Sequence, residues 1–176
     1  KIAAGSKGVT FRIGNTETPD AIPVNVTINP NAVITGNMGK INITQETGGF
    51  KKYGFGTLTL SEATKQFTGD LGITAGTLKI DGNHTMKDDE NLLIGFVDWN
   101  EDGNIDNNEY GKLAVTGTVD ISRGNLLVYA QDVISKSPQG TMYRDVVTSG
   151  NRVGEFKSYS DNSPLVDFVP VYEGNS

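Results

Sequence analysis

The feature that most constrains this chain is a period-two alternation of apolar and polar residues in short runs, each broken by glycine or asparagine. Val9, Phe11 and Ile13 face one way while Thr10 and Arg12 face the other, and Val24, Val26 and Ile28 enclose Asn25 and Thr27. Ile41/Ile43, Leu58/Leu60, Leu78/Ile80 and Leu126/Val128/Ala130 repeat the pattern. Val115, Val119 and Ile121 belong to another such stretch, interrupted at Gly117, and Val166, Phe168 and Tyr172 close the series with Pro170 on their face. Alternation of this kind places one strand face in a core and the other in water. The breaks are turn formers: Gly14-Asn15, Asn29-Pro30-Asn31, Gly36-Asn37, Gly48-Gly49, Asp81-Gly82-Asn83, Arg123-Gly124-Asn125 and Ser149-Gly150-Asn151. Roughly nine to eleven short strands on this spacing predict an all-β fold, a β-sandwich of jelly-roll type. Ser61 to Gly69 reads as a short helical connector, and nothing divides residues 1–176 into more than one domain.

Composition narrows the function. The chain has no cysteine, which removes disulfide scaffolds, thiolate metal sites and cysteine nucleophiles. A formal charge of −6 argues against nucleic acid and anionic membrane surfaces as partners, since both select a basic face. No apolar run is long enough for a membrane-spanning helix. The acidic balance and the wealth of Thr, Asn and Gly favour an extracellular location. Asn25, Asn42 and Asn83 head Asn-x-Ser/Thr sequons and are glycosylation candidates there.

The sharpest chemical signal is Asp98-Trp99-Asn100-Glu101-Asp102-Gly103-Asn104-Ile105-Asp106-Asn107-Asn108-Glu109. Five carboxylates and no basic residue fall in this stretch, so a divalent cation would relieve their mutual repulsion. The run resembles the twelve-residue EF-hand calcium loop. The resemblance implies Asp98, Asn100 and Asp102 as ligands at the first, third and fifth places, with Gly103 at the sharp turn. It implies the Asn104 carbonyl at the seventh, Ile105 as the buried apolar residue, Asp106 at the ninth and Glu109 as the bidentate twelfth. Ca2+ is therefore the expected ion. The flanks, Leu92 to Val97 and Tyr110 to Gly117, are strand-like, so the loop is expected to join two strands and stiffen a surface turn. In that setting the motif is similar to GEVED-type domains of bacterial secreted and surface proteins, which implies an extracellular β protein and no reaction. The lone tryptophan, Trp99, is expected to pack over the loop.

Three further readings come from the residues. Residues 1–13 form either an ordinary edge strand or a donor strand, whose Val9, Phe11 and Ile13 would complete a neighbour's sheet. Phe50, Tyr53 and Phe55 lie among glycines and lysines, either folded inward or exposed to stack on sugar rings or another subunit. Lys87-Asp88-Asp89-Glu90 reads as a solvated turn or a looser cation site. His84 is the sole histidine, and neither G-x-S-x-G nor H-E-x-x-H occurs, so no catalytic set is evident. The expectation is a calcium-stabilised subunit of a surface filament, pilus or biofilm matrix that assembles with itself by strand exchange. The alternative is a calcium-dependent carbohydrate-binding or adhesin module with glycans as partners.

Overall fold

Apolar side chains stack on apolar side chains from strand to strand, and the direction of that stacking sets the architecture. The computed structural model describes residues 55–60, 69–98, 101–107, 109–130, 140–164 and 166–174, with strand segments at 10–12, 24–26, 32–35, 40–43 and 50–53. One sheet runs β1 (Thr10–Arg12), β3 (Ala32–Thr35), β5 (Phe50–Tyr53), β7 (Leu71–Ile73), β10 (Asn91–Phe96), β12 (Asn125–Ala130) and β14 (Ser158–Asp161). The other runs β2 (Val24–Val26), β4 (Lys40–Ile43), β6 (Thr57–Leu60), β8 (Gly76–Ile80), β11 (Gly111–Asp120) and β13 (Val147–Val153), with β9 (His84–Thr85) also against β11. The chain thus alternates between the sheets and winds as a flattened coil.

All of these strand pairs are parallel. This corrects the expected β-sandwich of jelly-roll type, whose sheets are antiparallel. Parallel ladders usually rely on helical crossovers to cover their faces. Here each sheet covers the other, and no helix occurs among the described residues. Alternation reports one buried face per strand and is blind to strand direction, which explains the error. The helical connector expected at Ser61 to Gly69 lies, but for Gly69, outside the described residues.

The register builds straight columns. Leu71 pairs with Leu92 and Leu92 with Leu126, while Ile73, Ile94 and Val128 stack beside them. Across the core, Leu58, Leu78, Leu113 and Val147 form one column and Leu60, Ile80 and Val115 another. All of these side chains are buried in one cluster shared by both sheets. A polar column runs along one rim. The Asn91 amide donates to Asp70 Oδ1 at 2.9 Å, Asn125 Nδ2 to Asn91 Oδ1 at 3.2 Å, and Ser158 Oγ to Asn125 Oδ1 at 2.7 Å. At the opposite corner Gly76 pairs with Gly111. A Cβ on Gly111 would strike the Ile73 carbonyl, and Gly76 turns at φ +63 against the Gly56 backbone. Side chains are excluded there because successive turns pass too close.

Coil length changes midway. Leu71 pairs with Phe50 and with Leu92, 21 residues away on either side. Leu126 lies 34 residues beyond its partner Leu92, and Tyr159 lies 33 beyond Leu126. Among the described residues the added length leaves the coil between β10 and β11; the other long link, between β12 and β13, runs largely outside them.

The candidate cation loop

The first of these excursions is the acidic stretch. Two residues, 74 and 75, link β7 to β8, whereas fourteen, 97 to 110, link β10 to β11. By register the step from Ile94 to Gly111 is seventeen residues against three from Ile73 to Gly76, an excess of fourteen that contains the segment from Asp98 to Glu109. The excursion is pinched at its base, where Phe96 and Tyr110 form an antiparallel bridge and the Val97 amide donates to the Glu109 carbonyl at 3.0 Å. It is a loop inserted whole into a coil turn.

That pinch draws both ends of the loop into the protein. Asp98 is 7% exposed and Glu109 2%, while Glu101, Asp102 and Asp106 face solvent. Loop amides hold the carboxylates. Asp98 Oδ2 accepts the Gly103 amide at 2.7 Å and Oδ1 the Asp102 amide at 3.2 Å. Asp102 Oδ1 accepts the Asn104 amide at 2.8 Å, and Glu109 Oε2 the Asp106 amide at 2.9 Å. The turn is tight, with φ +59 at Glu101 and +88 at Gly103, so glycine sits where the backbone requires positive φ. Ile105 packs partly buried against the core. Asn100 and Trp99 lie outside the described residues. Among the described residues, no group of three or more Asp, Glu or His side chains is arranged to hold a metal ion. The structure therefore joins the two ends of the expected ligand series and engages Asp102, Asn104 and Asp106 in bonds within the loop.

Sequence reasoning missed what the loop leans on. Phe96 and Tyr110 stack with ring centres 5.4 Å apart, and Tyr143 and Phe168 close on Phe96 at 4.7 and 5.1 Å. The Tyr110 hydroxyl donates to the Arg144 carbonyl at 2.8 Å and meets Asn107 Oδ1 at 2.9 Å. Lys112 Nζ donates to that same Asn107 oxygen at 2.6 Å and lies 4.7 Å above the Tyr110 ring. Burial raises the Tyr110 pKa and lowers that of Lys112. The signal was an aromatic at each end of the loop, Phe96 and Tyr110, at bridge spacing.

The remaining candidates are scattered over the coil. Phe11 lies in β1 and pairs with Ile34 of the same chain; Val9 and Ile13 are outside the described residues. Phe50 and Tyr53 belong to β5, and Phe55 is 41% exposed in the next turn. Asn25 and Asn42 stand in register on β2 and β4. Asn83 is exposed and accepts the Thr118 amide at 2.8 Å, where β11 shifts register around Gly117. The acids at 88 to 90 have partners. Asp88 and Asp89 face Arg123 and Lys157 at 3.6 and 3.1 Å, and Glu90 accepts the Gly69 and Lys87 amides at 3.0 and 2.8 Å. Among the described residues no helix is long and apolar enough to cross a membrane. No protein-family model, curated protein or solved structure matches the chain.

Proposed function

We propose that this chain is an extracellular structural protein, a subunit of a surface filament or matrix, with calcium stiffening the rim of its coil. The observation that carries the reading is the fourteen-residue insertion with Asp98 and Glu109 drawn inward at its pinched base. Loop amides already curl the backbone about Asp98, so a hard cation would need mainly side-chain rotation to gather oxygens. Calcium suits such a site because it accepts six to eight oxygens in flexible geometry. Asp98, Asn100, Asp102, the Asn104 carbonyl, Asp106 and Glu109 would hold it. Bound there, it would lock β10 to β11 by neutralising the loop, and no reaction is assigned.

Self-assembly is the second half of the proposal. β1 and β2 end their sheets among the described residues, and parallel edge strands offer unpaired main-chain groups to another chain. Strand exchange at such an edge would lengthen the coil without new geometry. Electron micrographs with and without calcium test this: filaments are expected with the ion, and persistent monomers at high concentration overturn it. One observation favours a second reading. The exposed Phe55 ring suits stacking on a sugar, so binding on a polysaccharide array that Phe55→Ala abolishes would support a carbohydrate-binding module instead.

A further inference from the structure

The apolar columns are sealed through the middle of the coil and open at its last turn. Leu92, Ile94 and Leu113 are fully enclosed, whereas Leu126, Val128 and Val147, which stack on them, keep 7% or 8% of their surface exposed. The cause is the layer that follows. Inward positions that are apolar in earlier turns become polar there: Ser149 pairs with Val115, Arg152 with Val119 and Asp161 with Val128. The end of the core is covered instead by residues 166–174. Asp161 ties this segment down, its carboxylate accepting the Ser163 and Phe168 amides at 2.9 and 3.2 Å. Val166, Phe168 and Tyr172 pack partly buried against the core, and the Tyr172 hydroxyl accepts the Phe156 amide at 3.0 Å.

The cover does not close on the core. A cavity of about 830 Å³ lies between them, with Ile94, Leu126 and Val128 in its wall. That size falls within the range of roughly 300–1,000 Å³ in which small organic molecules bind, and such sites pair an apolar wall with a few fixed polar groups. Arg152 is the polar group here. Its guanidinium lies 4.7 Å above the Tyr172 ring and donates through its terminal nitrogens to the Gly154 and Gly174 carbonyls. These contacts fix the group, yet its Nε is buried with no hydrogen-bond partner. Arg144, on the same wall, meets Glu173 at 3.2 Å, whereas Arg152 enters no ion pair among the described residues. Asp145 and Asp167 also line the cavity, but both are exposed, where water and salt screen them.

We propose that this cavity binds a single-chain amphiphilic carboxylate, with its hydrocarbon chain along Ile94, Leu126 and Val128 and its head group accepting from Arg152 Nε. Each half of such a molecule meets a need of the site. The chain removes from water the apolar surface that the last turn leaves accessible. The carboxylate supplies an acceptor to a buried cationic donor, a charge-assisted bond stronger than one to a neutral group. A hydrocarbon alone would leave Nε unpaired, and a small anion alone would leave the apolar wall wet. The site goes beyond the filament reading and does not involve the cation loop or the β1 edge.

Calorimetric titration of the full chain with decanoate and with decan-1-ol tests it. Chelator is present throughout, so that calcium neither precipitates the carboxylate nor occupies the loop. Decanoate below its micelle concentration is expected to saturate at one molecule per chain, and decan-1-ol to bind about tenfold or more weakly. Arg152→Gln should bring decanoate down to the level of the alcohol, and Val128→Phe, which fills the cavity, should weaken both. No saturable uptake of decanoate, equal affinity for the alcohol, or binding that survives both substitutions overturns the proposal. If either variant fails to fold by circular dichroism, the native chain's preference for decanoate over decan-1-ol decides. Filaments in calcium without decanoate uptake would remove this site and leave the filament reading standing; uptake without filaments would do the reverse.

Discussion

Lys52 is 1% exposed, and its ammonium donates to the Ala75 carbonyl at 2.8 Å. Burial lowers its pKa from 10.5 to about 8. The unfolded chain therefore binds the extra proton between those two values, and stability rises with pH across that window. A shift of this size corresponds to about 3 kcal/mol, absent above the window in which the two states differ. Urea midpoints measured from pH 7.5 to 10.5 should climb in the native chain, and Lys52→Met should flatten the climb; an unchanged slope in the variant rejects Lys52 as its source. At Gly111 the issue is space rather than charge. Gly111→Ala drives a methyl at the Ile73 carbonyl, which is backbone and yields poorly. A loss of more than about 2 kcal/mol in chemical denaturation is expected, and a neutral result shows that the coil corner can open. Neither residue was legible beforehand. A lysine in an alternating strand reads as solvent-facing, and a glycine's neighbours belong to other turns.

The inserted loop makes its own predictions at the level of elements. At 1 mM calcium a site of extracellular strength adds roughly 0.4–1.4 kcal/mol, a melting shift of roughly 1–6 °C. Asp98→Asn and Glu109→Gln should each erase most of that shift while retaining amide acceptors for the loop. A chain whose melting ignores calcium, or whose response survives both changes, rules out the proposed site. Excision is a stricter test. Removing residues 97–110 leaves Gly95 and Phe96 between Ile94 and Gly111, matching in register Thr74 and Ala75 between Ile73 and Gly76. The shortened chain should keep its circular dichroism spectrum and lose the calcium response; collapse of the fold would show that the loop is part of the scaffold. A loop between two strands was legible from the strand-like runs on either side, Leu92 to Val97 and Tyr110 to Gly117, while its donor series rested on the resemblance to the EF-hand loop. Its aromatic footing was not, since Tyr143 and Phe168 arrive from distant turns.

For the whole molecule, two short patterns interleave along the chain. Gly56-Thr57-Leu58-Thr59-Leu60, Gly76-Thr77-Leu78-Lys79-Ile80 and Gly111-Lys112-Leu113-Ala114-Val115 share one form, and they begin β6, β8 and β11. Asp70-Leu71-Gly72-Ile73, Asn91-Leu92-Leu93-Ile94 and Asn125-Leu126-Leu127-Val128 share another, and they begin β7, β10 and β12. These repeats announce the coil, but insertions stretch their spacing from 20 or 21 residues to 34 or 35, so no fixed period appears. Alternation located β1, β2, β4, β6, β8, β11 and β12, but it missed β3, β5, β7, β13 and β14 and placed a strand at Val166 to Tyr172 where none forms; parallel direction depended on seeing like stacked on like. Leu113 stands between Leu78 and Val147 in the central column, so Leu113→Ala should destabilise by about 2–5 kcal/mol. Denaturant titration checks this, and a loss below about 1 kcal/mol would mean that the column is loosely packed.

The parallel register also sets how the protein would behave under tension. Strands lie across the coil, so a load along it meets one terminal strand's hydrogen bonds at a time and peels the molecule turn by turn. A short turn of 21 residues would release about 70 Å of slack and a long one of 34 about 115 Å. A tether built this way lengthens by instalments at modest force, absorbing a jolt that would rupture a fold loaded in shear.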